Sequence, residues 1–181
     1  MTNERTRLRE KLCREIAQAE LSAILHPERE ARRLGDVPPA EKLLEISAHA
    51  KHMRPRLDAL LVPNQPVGIR VGRLVGEMFS NTRHFFFDRF LSTERSYRAT
   101  LLGLHHGIGI AKLLRELAQR EDLVRLHRFC DDLIADREPL LREAERVLAW
   151  FADHPDIASA SGLRNALAPS PRSHDAAPVL T

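Results

Sequence analysis

An all-α fold is the reading this sequence supports, on three observations. Leu, Ala, Arg and Glu dominate the composition, and all four favour helix. Only 8 of the 181 residues are glycine. Apolar residues recur at steps of three and four over long stretches, and seldom in the alternation that a half-buried strand needs. An apolar share of 43% and a charged share of 29% are ordinary for a globular protein, and the length allows one domain with a full core. That domain is placed at residues 1–155.

The first helical stretch covers residues 3–34. Asn3 is its cap, and Leu8, Leu12, Ile16, Ala19 and Ala23 form its apolar stripe. Pro27 removes a backbone donor and predicts a kink or a break, and Gly35 is placed to end the helix. The second stretch covers 38–61, with Asp36 as cap and Pro38 and Pro39 in the first turn. Leu43, Ile46, Ala50, Met53, Leu57 and Leu60 form a heptad-like seam, as in a long helix packed almost antiparallel on a neighbour. Pro55 predicts a bend in it.

Residues 62–68, VPNQPVG, break the pattern. From there to residue 92 one or two shorter helices are expected. This crossover holds Phe79, Phe85, Phe86, Phe87 and Phe90, five of the seven phenylalanines, placed either to cover the core or to meet a partner, including a second copy of the chain. Ser92 or Thr93 caps the next helix, 93–119, whose stripe is Tyr97, Leu101, Leu104, Ile108 and Ala111. Gly103, Gly107 and Gly109 cost that helix about 1 kcal/mol each relative to alanine. Close approach of a neighbour, or a bend, is the reason to accept that cost. The last long helix, 121–152, carries Leu123, Leu126, Cys130, Leu133, Leu140, Ala144, Leu148 and Phe151 and stops at Pro155. Residues 156–181 are expected to form a disordered tail. The plan is two long-helix hairpins, 3–61 and 93–152, joined by a helical crossover.

Several function classes are excluded as expectations. The formal charge of +3 is spread along the chain, so no nucleic-acid partner is expected. No run approaches the ~20 apolar residues of a membrane span, and the N-terminus lacks the apolar core of a signal peptide, so a cytoplasmic protein is expected. Cys13 and Cys130 lie in helical patterns without zinc spacing and read as buried free thiols. No phosphate loop, Gly-x-Ser-x-Gly or HExxH occurs. No catalytic residue is assigned.

The stretches AEL at 19–21, AEKLLEISAHAKHMRPRL at 40–57, ERSYRATLLGLHHG at 94–107 and FCDDLIADREPLL at 129–141, with the helix order, resemble the ferritin-like superfamily. The resemblance covers roughly residues 1–152 and implies a four-helix bundle with one long crossover. Active members supply a Glu from each of two helices and a Glu-x-x-His from each of the other two, to hold two irons. Glu20 looks like the first of these. His49-Ala-Lys-His52 stands where one Glu-x-x-His is expected, and Asp136-Arg-Glu-Pro139 where the other is, with proline in place of histidine. The third helix has no carboxylate inside its stripe; Glu94 is at its start and His105 is the nearest candidate. The resemblance therefore implies a bundle with an incomplete di-iron site, serving as a non-enzymatic binding or scaffold protein without a cofactor. The competing reading is an iron-binding oxidoreductase or iron-storage relative using Glu20, His49, His52, His105 and Asp136. A third is a regulatory protein that binds its partner through the Phe-rich crossover.

Helical rotation weighs these residues. At ~100° per residue, His49 falls roughly 70° from the seam of its helix and His52 roughly 130°. One stands at the core margin, and the other points away. Arg137 falls within about 20° of its stripe centre, between Leu133 and Leu140. Either its head reaches past the core to water, or it pairs inside with Glu20, on the stripe between Ile16 and Ile24. In the second case His49 and His105 complete a polar core cluster with Glu20 and Arg137.

Overall fold

The computed structural model describes residues 2–61 and 91–160. Its regular elements are all helices: α1 (Thr2–Leu34), α2 (Pro38–Leu61), α3 (Thr93–Arg120), α4 (Val124–Arg146), α5 (Ala149–Asp153) and α6 (Pro155–Ser159). Among the described residues there is no strand, and no helix is long and apolar enough to cross a membrane. The Phe-rich segment and residues 161–181 lie outside the described residues, and with them the expectations for Phe79, Phe85, Phe86, Phe87 and Phe90.

The turns follow local chemistry. Gly35 takes φ +80° and its amide donates to the Ala31 carbonyl at 3.0 Å, ending α1 with the residue that adopts this conformation at no steric cost. The Val37 carbonyl accepts from the amides of Ala40 and Glu41, so Val37, and not Asp36, stands at the start of α2. A three-residue turn joins α3 to α4, with Asp122 at φ +53°, a conformation aspartate tolerates better than most residues.

Pro27, Pro55 and Pro139 all lie inside helices, which continue through them. The break expected at Pro27 is absent. A proline inside a helix costs about 3 kcal/mol, and the flanking turns offset it by burying Ala23, Ala31, Met53, Leu57 and Leu141. Pro155, expected to end the last helix, instead opens α6, while α4 ends earlier, at Arg146. Its end is secured from α3: the buried Tyr97 hydroxyl donates to the Ala144 carbonyl at 2.8 Å, one of the carbonyls that a helix leaves without an amide partner.

Cross-helix pairs give the directions. Arg9 meets Glu121 at one end of α1, and Glu30 accepts from Ser96 near the other, so α1 and α3 are antiparallel. Arg56 meets Asp132 and His49 meets Arg137, so α2 and α4 are antiparallel. The main neighbours are α1 with α2 and α3, and α4 with α2 and α3. Helices α1 and α4 therefore face each other across the interior, as do α2 and α3. The chain leaves α2 beside the start of α1 and enters α3 beside its end, where Arg33 Nη2 donates to the Thr93 carbonyl at 3.3 Å.

The interior divides into two apolar clusters. One gathers Ile16, Met53, Leu57, Leu114, Phe129 and Leu133. The other gathers Leu43, Ile46, Tyr97, Leu101, Leu141 and Phe151. The seam expected on α2 is buried from Leu43 to Leu57, and the α3 stripe is buried throughout. Leu8, expected on the α1 stripe, is 39% exposed.

The α3 glycines separate into two kinds. A Cβ built on Gly107 meets the Ala19 Cβ at 3.4 Å, so this glycine permits close approach of α1. Gly103 and Gly109 have nothing within 4 Å of such an atom. Substituting alanine at either is expected to raise stability by about 0.5–1 kcal/mol, and at Gly107 by less. Urea unfolding of the dilute single variants checks this order.

Candidate functional site

The boundary between the two clusters is polar. Glu20 on α1 and Arg137 on α4 both point inward and are 2% and 3% exposed. Arg137 Nη2 donates to Glu20 Oε2 at 2.9 Å, across the interior between opposite helices. Arg137 Nε donates to Nδ1 of His49, on α2, at 2.9 Å. Three helices thus supply one chain of charge-assisted contacts at mid-length, between Ile16 and Ala23 on α1 and between Leu133 and Leu141 on α4. The side of α3 near this level carries Gly107 and Ala111, both buried and small.

These contacts settle the protonation of His49. A guanidinium is only ever a donor, so Nδ1 is the acceptor and the ring proton sits on Nε2. That Nε2 is buried and makes no hydrogen bond. The nearest carboxylate oxygen, Asp136 Oδ2, stands at 3.7 Å, too far for one. Burial, and then the adjacent Arg137 charge, hold the imidazole pKa below its usual value, outweighing the pull of Asp136. Protonation would also place an N–H at Nδ1, facing the Arg137 donor. Burial pushes the Glu20 carboxyl upward, against the opposing pull of Arg137 and, further away, Arg54.

The residues singled out from the sequence fall into two groups. Glu20, His49 and Arg137 come together. His52 is exposed on α2, and the Asp136 side chain is 61% exposed. His105 is a correction: it does not join the cluster. It is exposed on the α3–α4 flank, where Nε2 lies 2.7 Å from Glu145 Oε1. The physical reason is rotation, since Leu104 and Ile108 take the inward positions on either side of it. Beside His105, a shallow groove between α3 and α4 carries Glu138, with which Lys112 and Arg142 both pair.

The donor set does not fit a di-iron centre. Iron requires several carboxylate and imidazole donors converging on one point. Here the inward carboxylate is engaged by a guanidinium, and the inward imidazole turns its free-pair nitrogen to the same cation. Among the described residues no group of three or more His, Cys, Asp or Glu is arranged to hold a metal ion.

A second buried polar cluster escaped the sequence reading. Ser96 donates to Glu30 Oε2 at 2.8 Å, Arg33 donates to Glu30 Oε1 at 2.7 Å, and the Thr93 hydroxyl donates to the Ala160 carbonyl at 2.9 Å. Glu30, Ser96 and Thr93 are all buried. Glu30 continues the α1 stripe at steps of three and four from Glu20 and Ala23, so the rotation that placed Glu20 would have placed it too. This cluster ties the end of α1 to the start of α3 and to α6. The thiols are free: Cys13 is partly buried and Cys130 fully, with burial pushing the Cys130 pKa up to about 12. His127 and Asp131 form a pair at 3.0 Å on the surface of α4.

Searches among known proteins return no match for this chain: no family model, no curated protein and no solved structure.

Proposed function

We propose that this protein is a ferritin-like four-helix bundle in which a buried arginine–carboxylate pair stands where a di-metal site would be, and that it works as a non-enzymatic binding or scaffold protein. One observation carries the reading: Arg137 donates to Glu20 at 2.9 Å across the middle of the core, with both groups almost fully buried. A buried carboxylate needs a positive partner. In a di-iron protein the metal is that partner; here the guanidinium is, and it occupies the space between opposite helices. The connectivity supports the fold half of the proposal. Two antiparallel hairpins with α2 and α3 running the same way require one connection along the length of the body, which is the ferritin-like pattern.

The test is metal analysis of the full chain purified from iron-supplemented cells. The expected result is less than a tenth of an iron per chain, unchanged in Glu20→Gln. Two irons per chain, lost in that variant, overturn the proposal in favour of the iron-binding reading.

A further inference from the structure

Arg137 divides one edge of its guanidinium between two acceptors. Nε and Nη2 lie side by side on that edge, the arrangement that grips a single carboxylate through two parallel hydrogen bonds. Here Nη2 donates to Glu20 Oε2 and Nε donates to His49 Nδ1, each at 2.9 Å. The imidazole thus holds a place that the second oxygen of Glu20 could take. On its other side the ring carries a buried Nε2–H that makes no hydrogen bond, and Asp136 Oδ2 stands 3.7 Å from it. A movement of about 1 Å would bring that carboxylate into hydrogen-bond range. His49 therefore sits between a cation from which it accepts only when neutral and a carboxylate to which it donates best when charged.

We propose that His49 is a proton-operated switch: on taking up a proton it exchanges Arg137 for Asp136, and Arg137 closes with both nitrogens of that edge onto Glu20. The proposal deepens the reading of a metal-free bundle and rests on it. The exchange follows from donors and acceptors. A proton added at Nδ1 faces the Arg137 Nε–H, so that hydrogen bond is lost and two like charges are left in contact. Movement toward Asp136 separates them and gives Nε2–H a charged acceptor. The freed Arg137 Nε meets the Glu20 carboxylate, so neither buried charge is left unpaired. The charged groups facing the ring are Arg137 and Asp136 from α4, Glu20 from α1 through Arg137, and His52 from its own helix, while α3 brings the small Gly107 and Ala111 to this level. Burial, Arg137 and His52 oppose the added proton and Asp136 favours it, so the exchange falls below the ordinary 6.5 of an imidazole. The Asp136 side chain is 61% exposed, so a proton taken up at the core margin also cancels negative charge on the outer α2–α4 flank.

Nitrogen NMR of the imidazole and guanidinium groups of the full chain, followed from neutral pH down to about 5, tests this. Among the nine histidines His49 is assigned by its loss in His49→Gln, and the Arg137 Nε signal by its loss in Arg137→Lys. At neutral pH His49 is expected to carry its proton on Nε2. On acidification it is expected to titrate while the helix content holds, and the Arg137 Nε signal is expected to shift with the same midpoint. Asp136→Asn is expected to lower both midpoints together by about half a pH unit. In His49→Gln the Arg137 shift is expected to vanish. A ring that stays neutral until the helices unfold overturns the proposal. So does an Arg137 signal that ignores the His49 titration, or one that still shifts in His49→Gln, or a midpoint that Asp136→Asn leaves in place. Each of these results leaves the metal-free reading standing. Iron held by Glu20 and His49 in the same sample would overturn both.

Discussion

Replacing Arg137 by leucine is expected to lower the unfolding free energy by about 3–5 kcal/mol, the loss usual when one partner of a buried ion pair is removed. The loss comes from what remains. Glu20 would keep a carboxylate in a site 2% exposed with no guanidinium to receive its charge, and His49 Nδ1 would lose its donor. Two apolar residues do not leave that debris. The double variant Arg137→Leu with Glu20→Leu is therefore expected to be markedly more stable than the sum of the two single losses predicts. Urea unfolding of the four proteins in the cycle measures the difference. Simple additivity would show that the two groups do not act as a pair. Glu20→Leu alone should also be costly, because it leaves a buried guanidinium whose remaining side-chain contact is the His49 ring.

Acidification is expected to destabilise the fold through His49. Its folded pKa lies below the ordinary 6.5, because burial and Arg137 both oppose a second positive charge. The unfolded chain therefore binds a proton that the folded chain refuses. The stability His49 contributes is fully present above 6.5 and is lost as the pH falls from there toward the folded pKa. One proton limits the slope to about 1.4 kcal/mol per pH unit. Glu20 acts in the opposite sense. Burial raises its pKa above 4.5, so the folded chain holds that proton more firmly and acidification favours the fold over that interval. His49→Gln separates the two, since a glutamine oxygen accepts from Arg137 and does not titrate. Between pH 7 and pH 5 the wild-type chain is expected to lose more stability than this variant. Equal slopes for the two would remove His49 as the source.

Both predictions concern residues that helical rotation had marked in advance. Arg137 was legible because a guanidinium within about 20° of an apolar stripe has few places to go. Its partner was legible as Glu20 only because that residue lies on a stripe as well. His49 at the core margin and His52 facing outward followed from the same rotation, and the structure places them so. His105 did not follow. On a helix whose stripe is Leu101, Leu104 and Ile108 it lies on the outer side, and grouping it with the cluster ignored that rotation. Glu30 was missed for the converse reason, as the stripe was read only as far as its apolar members.

Taken by itself, the chain determined that it would be helical, where the long helices would lie and which face of each would be buried, because periodicity is a property of consecutive residues. It also placed Glu20 and Arg137 on the apolar stripes of their helices, with burial in a pair and extension to water both open for the arginine. Only the tertiary structure decided which helices stand opposite one another, and hence that Arg137 would choose Glu20 and His49 over water. It also decided that three prolines would be absorbed without breaking a helix. Those outcomes depend on distances between residues up to 117 positions apart in the chain, which are set by packing and by no local pattern.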